Sequence, residues 1–312
     1  MPATLEAQRE ALLQRIEAGL GLEPDAMRKV REIFAESNLL SQGNPKTTTH
    51  PMSRAECRHR RSRAGVGRDR GNPLCASPYM VPVYDPGAGQ TDVDATVCID
   101  QYEFPGIPCE YPVVYVRARE AAELCAAVGK RICDAHEWEG ACAGALKPVE
   151  SEYDWNRERI EASYAHNKKR EIVWAYGANK DHTLCATSSH KNAQCFGGEW
   201  SECGSNTFPT GAFPYCVSRF GVYDQHGNAA EHMSLPLKAE QLGRLGGVGS
   251  TEMKGSWFIF ASYEAHEDDC RWRALDWHGS KVMAPNSHRN YHLGFRCCKD
   301  MPTQPQDAGD DP

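Results

Sequence analysis

The chain has 312 residues, with 35 Lys plus Arg against 42 Asp plus Glu, a formal charge of −7. That length allows one large or two ordinary domains, and the acidic balance excludes a generic binder of phosphate backbones, which needs a basic excess. No apolar run approaches the roughly 18 residues of a membrane span, while 40 % hydrophobic residues with 7 Trp and 12 Tyr supply a sizeable core and exclude a disordered chain.

Residues 3–20 place Leu5, Ala7, Leu12, Leu13, Ile16 and Leu20 at near-helical spacing before Gly19 and Gly21 break the run. Pro24 and Asp25 open a second helix through Met27, Val30, Ile33 and Phe34. The two form a helical arm over 1–41, expected to pack on the main domain. The arm begins with a charged helix and has no apolar stretch of the signal-peptide kind. A loop-rich connector over 42–94 carries Arg54, Arg58, Arg60, Arg61, Arg63, Arg68 and Arg70. Ser53 and Glu56 make a capping box for one short helix there. The basic run reads as a solvated face balanced by the acidic remainder, with anion binding as the alternative.

The main domain is expected over 95–300. A helix spans 120–128, with Ala121, Leu124, Cys125 and Val128 on its apolar face and Gly129 as its stop. Asp134 caps another, running through Trp138 towards Ala145. Residues 147–215 lack a clear period and predict long ordered loops. Strand-like pieces follow at 255–260 and 293–297. The acidic, proline-rich 301–312 predicts a disordered tail.

Fourteen cysteines lie at 57, 75, 98, 109, 125, 133, 142, 185, 195, 203, 216, 270, 297 and 298. The count is even and no repeated C-x2-C pair of the zinc kind occurs. Such a set reads as disulfides, which persist in oxidising compartments. An extracytoplasmic location is therefore expected.

Three stretches carry a resemblance. Residues 113–125 (VVYVRAREAAELC) precede 129–139 (GKRICDAHEWE); residues 220–231 read FGVYDQHGNAAE; residues 254–257 (KGSW) and 293–297 (LGFRC) follow. Each is weak alone. Together, in this order over about 200 residues, they resemble the formylglycine-generating enzyme family, the sulfatase-modifying-factor domain. The resemblance implies an α+β fold related to C-type lectins, loop-rich, with few short strands and helices, stabilised by disulfides.

It also implies two disulfides, Cys125–Cys297 and Cys142–Cys270. Cys133 and Cys298 flank the first and are expected to bridge each other. The remaining eight are paired by proximity in sequence: Cys57–Cys75, Cys98–Cys109, Cys185–Cys195 and Cys203–Cys216. Asp224, Gly227, Ala229 and Glu231 match family calcium positions, and carboxylates plus backbone carbonyls make a hard-oxygen site. An N-capped turn using the same carboxylates is the other reading.

Family enzymes oxidise a cysteine of a sulfatase peptide to formylglycine, with two cysteines holding copper(I), a soft ion suited to thiolates. Where those cysteines stand in the family, this chain has approximately Ile259 and Glu264. Formylglycine formation is therefore not expected. Two functional classes remain. The first is a module that binds a peptide or protein in the family groove, with Trp257, Tyr263, Glu264, His266, Trp277, His288 and Asn290 as groove candidates. The second is an oxidoreductase using iron or copper in the same groove, as some relatives do. Its ligands would come from His266, Glu264 and His288 or His292, a facial set of two imidazoles and a carboxylate; His226 and His232 around Glu231 are further candidates. Trp138, Trp257, Trp272 and Trp277 read as core or pocket walls. Arg271, Arg273 and Arg296 are expected to pair with Asp268, Asp269 and Asp276. No nucleic-acid partner and no membrane span are expected.

Overall fold

The computed structural model describes residues 2–66, 71–275 and 279–301. The arm is a pair of helices, α1 (Leu5–Leu20) and α2 (Pro24–Glu36). Thr4 caps α1 by accepting from the Ala7 amide, and Gly21 ends it at φ 61°. Leu12, Leu13 and Ile16 of α1 and Met27, Val30 and Phe34 of α2 bury their side chains in one cluster with Val113, Val116, Leu124 and Phe295. The arm's apolar stripe is thus part of the main core.

The connector opens with α3 (Arg54–Arg63), whose Ser53–Glu56 capping box forms as the sequence indicates. Its arginines are not a uniform solvated face. Arg54 pairs with buried Glu110 at 2.5 Å, and Arg61 is buried, donating to the Gly211 carbonyl and the Tyr102 hydroxyl. Arg68 and Arg70 lie outside the described residues.

Two small sheets follow. One takes the order β1 (Met80–Val83), β2 (Val97–Asp100), β7 (Cys297–Asp300), β3 (Arg131–Ile132), all antiparallel. The other takes the order β5 (Ser250–Lys254), β4 (Ala230–Leu235), β6 (Leu293–Phe295), antiparallel across β4–β5 and parallel across β4–β6. Helices α4 (Ala118–Ala127) and α5 (Ala135–Ala143) pack beside them. Asp134 caps α5, its amide donating to Glu137 Oε2 at 2.8 Å.

Two sequence expectations need correction. The stretch 147–215 holds two helices, α6 (Val149–Glu152) and α7 (Arg159–Lys169). Within α7 only Ser163 is buried, so it lacks the apolar stripe that marks a helix in sequence. The stretch 255–260 is no strand. β5 stops at Lys254 because Gly255 sits at φ 74°, where a Cβ would meet the Gln225 carbonyl at 2.7 Å. Of the expected tail, residues 302–312 lie outside the described residues.

All fourteen cysteines are paired. Cys125–Cys297, Cys133–Cys298 and Cys142–Cys270 form as expected. The four pairings by sequence proximity do not. The structure has Cys57–Cys109, Cys75–Cys98, Cys185–Cys216 and Cys195–Cys203. The cause is tertiary. The Arg54–Glu110 ion pair docks α3 against the segment carrying Cys109, while Ala186 bridges Gly227 and the Cys216 carbonyl accepts from the Asp224 amide, which brings Cys185 to Cys216.

Candidate functional site

The turn after β5 builds an aromatic cluster. Trp257 is almost fully buried. Its ring stacks on His292 at 4.8 Å and meets Phe260, His266 and Tyr263 at 5.4, 5.8 and 6.3 Å. His266 in turn stacks on Trp272 at 4.8 Å and 7°. The Trp257 indole Nε1 is buried without a hydrogen-bond partner among the described residues. Tyr263 stands out at 61 % exposure. Asn290 lies against Gly198, where a Cβ would meet its Oδ1 at 2.3 Å. The loop closed by Cys195–Cys203 therefore borders the cluster, and both cysteines share its apolar packing. Trp277 lies outside the described residues.

The two positions proposed for copper thiolates diverge. Ile259 is buried beside Phe258 and Phe260. Glu264 is on the surface, held by Lys180 at 2.7 Å and near His182 Nδ1 at 3.4 Å. The expected facial set does not assemble. His266 Nδ1 is 2.6 Å from the Glu267 carbonyl and so carries the hydrogen. Among the described residues three clusters of His, Cys and carboxylate ligand atoms lie within 4.8 Å of one another, and none contains Glu264, His266, His288 or His292. Two of the three contain disulfide sulfurs. His226 and His232 also part company. His226 Nε2 accepts from the Ala175 amide at 3.0 Å and lies 3.3 Å from Cys142 Sγ. His232 Nε2 donates to the Val116 carbonyl at 3.0 Å.

The expected calcium segment is buried and acidic. Asp224, Gly227 and Asn228 take left-handed backbone at φ 58°, 79° and 56°, a conformation that Asp, Asn and Gly tolerate best. Glu231 is not open: Arg296 binds both its oxygens, at 2.6 and 2.7 Å, and Trp138 Nε1 donates at 2.9 Å. Arg296 therefore pairs with Glu231 rather than with a nearby Asp. Asp224 Oδ2 accepts from Thr210 Oγ1 and the Gly211 amide, while Oδ1 is buried with no partner among the described residues. Gly227 donates its amide to Ser256 Oγ at 2.9 Å, and the Ala229 amide donates to Glu103 at 2.8 Å. Glu103 was not foreseen from the sequence; it lies far from the motif and also accepts from Asn228 Nδ2 at 2.6 Å. Burial and the charges of Asp224 and Glu231 push the Glu103 carboxyl well above the usual range, and burial pushes Asp224 up to about 6. Three buried carboxylates thus surround one fully buried guanidinium, with Arg61 further off.

The other arginines also differ from expectation. Arg273 grips Glu139 at 2.8 and 2.9 Å, Arg271 pairs with Glu152 at 3.2 Å, and Asp269 is taken by Arg170 at 2.8 Å. Asp268 instead accepts from Trp174, His182 and Ser256 at 3.1, 3.2 and 3.0 Å.

Residues 105–301 match the sulfatase-modifying factor enzyme 1-like domain. No curated protein matches the chain. Two solved structures are similar to it at low identity. PvdO from Pseudomonas aeruginosa is 15 % identical with a TM-score of 0.29, covering 71 % of this chain and 90 % of its own. A Major Tropism Determinant I1 variant is 14 % identical with a TM-score of 0.32, covering 72 % of this chain and 55 % of its own.

Proposed function

The chain belongs to the family of sulfatase-modifying factor enzyme 1-like domains, and from that membership we propose an extracytoplasmic protein that binds a peptide or protein segment in the groove around Trp257, without forming formylglycine. The observation that carries this reading is the fate of sulfur. Every cysteine is committed to a disulfide, and copper(I) is held by free thiolates. Ile259 and Glu264 do not fit that ion, one being buried hydrocarbon and the other a hard surface carboxylate. The exposed Tyr263 beside the Trp257 cluster, with the Cys195–Cys203 loop against it, supports a recognition role. Seven disulfides support an oxidising compartment, and no described helix is long and apolar enough to cross a membrane. Among the described residues no set of ligand atoms that includes Glu264, His266, His288 or His292 assembles in favour of the iron or copper oxidoreductase reading.

Panning a displayed random-peptide library on the protein tests the reading. Selected peptides should lose roughly tenfold in affinity, about 1.4 kcal/mol, with Tyr263→Ala, whose exposed side chain the fold does not need. Incubating the protein with copper(I) and a cysteine-containing sulfatase peptide should leave the cysteine mass unchanged. Conversion to the aldehyde, or a library that enriches nothing, overturns the proposal.

We also propose calcium at Asp224. Its buried Oδ1, without a partner among the described residues, and the crowding of the Glu103 and Asp224 carboxyls, which raises the proton affinity of both, fit a hard cation. Asp224 would hold it with the carbonyls of Gly227 and Ala229, while Glu231 acts by fixing Arg296. Such an ion stabilises the buried carboxylate cluster and with it the turn that carries the groove. Calcium at a hundredfold excess over its Kd should add about 2.7 kcal/mol of stability, reversed by chelator and absent in Asp224→Asn. Melting indifferent to chelator, with no calcium by elemental analysis, refutes it.

A further inference from the structure

A cavity of ≈ 610 Å³ opens between α6, α7 and the segment 235–237 that leaves β4, and none of the described groove candidates lines it. That volume is ordinary for a small-molecule site, for which roughly 300–1,000 Å³ is typical. Its lining has two characters. One part is polar and short of donors. Ser163 Oγ and Glu152 Oε2 are buried and have no hydrogen-bond partner among the described residues, and both residues line the cavity. Ser163 is 1 % exposed and Glu152 8 %. His166 Nε2 lies 2.8 Å from the Arg271 carbonyl, so that nitrogen carries the hydrogen and Nδ1 presents a lone pair. That lone pair faces Glu152 Oε2 at 3.9 Å, two acceptors across a gap too wide for a direct bond. The other part is apolar: the rings of Tyr153 and Trp155, stacked at 4.9 Å and 21°, and the side chains of Leu235 and Leu237.

Charge decides what could fill it. Ligand atoms of Glu139, Glu152 and His166 lie within 4.8 Å of one another, as a metal would need. Yet the Glu139 oxygens are taken by Arg273 at 2.8 and 2.9 Å and by Lys254 at 3.1 Å. Arg271 and Arg273 stand 3.2 and 3.6 Å from the Glu152 oxygens. A metal ion would find two free ligands and three neighbouring cations, and an alkylammonium would meet the same cations. An anion would meet the open Glu152 oxygen and the lone pair of His166 Nδ1, both of which line the cavity. A neutral hydroxyl avoids both penalties: it donates into the acceptor pair, exchanges a hydrogen bond with Ser163, and brings no charge of its own.

We propose that this cavity is a second binding site, for a neutral polyhydroxylated ligand of about monosaccharide size. Its hydroxyl edge is met by Ser163, Glu152 and His166, and its carbon face lies on Trp155, since the Tyr153 ring already carries Trp155 and the Arg273 guanidinium at 4.8 Å. Saturation-transfer NMR with methyl glucoside and with myo-inositol tests this on the whole protein, with zinc and butylammonium titrated calorimetrically alongside. The expected result is transfer to at least one of the two polyols, weakened roughly three- to tenfold by Ser163→Ala, the loss of one buried hydrogen bond. Trp155→Ala, a change at the cavity mouth, should weaken it similarly and decides the matter if Ser163→Ala misfolds. No transfer to either polyol, transfer indifferent to Trp155→Ala, or binding of zinc or butylammonium in place of the polyols overturns the proposal.

Discussion

Glu252 is fully buried on β5, accepting from the Ala274 amide at 2.7 Å with Arg159 Nη2 at 3.4 Å. Burial pushes its carboxyl up to about 7, against the pull of Lys254 and Arg159. The folded protein therefore holds this proton more tightly than the unfolded chain. The stability so gained is full below the ordinary carboxyl value near 4.5 and is lost as pH rises to about 7. Glu252→Gln removes the titration. Denaturant titrations of both proteins should show the variant gaining on the wild type by roughly 3 kcal/mol between pH 4 and pH 8; a difference flat with pH refutes it. At this scale the sequence showed residue types but not partners. Glu231 and Arg296 both stood in recognised motifs, yet their ion pair spans 65 positions, and an acceptor close in sequence was the natural guess. Glu103 lay outside every motif and gained meaning only where folding set it against Asp224 and Asn228.

Helices were legible where their ends carried local chemistry. Ser53 with Glu56 and Asp134 with its following Glu137 announce α3 and α5, because a capping box is built within four residues. The arm was legible from its apolar spacing, and burial explains why: Phe34 of α2 is 1 % exposed in the cluster that holds α4 and β6. Phe34→Ala should cost about 3–5 kcal/mol in a single unfolding transition. A separate early transition for the arm would show instead that it folds apart from the domain. What stayed hidden was α7, held by polar contacts such as His166 and Asn167 to the carbonyls of Arg271 and Arg273. Three of the local disulfides stayed hidden too, because strand pairing and docked loops choose their partners; Cys195–Cys203, only eight residues apart, was legible by spacing alone and was passed over. The groove residues could be named in advance, but not that Trp257 would be enclosed by histidines or that Glu264 would face solvent.

Across the whole molecule, sulfur ties sequence-distant layers together. Cys125–Cys297 closes a separation of 172 residues and Cys133–Cys298 one of 165. In the chain-entropy picture a loop of that size is worth up to about 5 kcal/mol. The double variant Cys125→Ala with Cys297→Ala should lose stability of that order by denaturant titration, and an unchanged midpoint would reject the picture here. The domain-level resemblance was legible because it lay in short motifs whose order survives. The extra chemistry, the polar cavity under α7, was not, since its walls come from four separated segments.

Neighbouring Cys297 and Cys298 sit on one central strand, and successive strand side chains point to opposite faces. One joins the hydrophobic cluster holding the arm, α4 and Phe295; the other joins the cluster of Trp138, Val222 and Met233. Exchanging their partners would demand that β7 be turned over, carrying each sulfur away from its own layer. Correct oxidation and correct strand facing are therefore a single event, and a scrambled isomer at this pair would be recognisable by the simultaneous loosening of both layers.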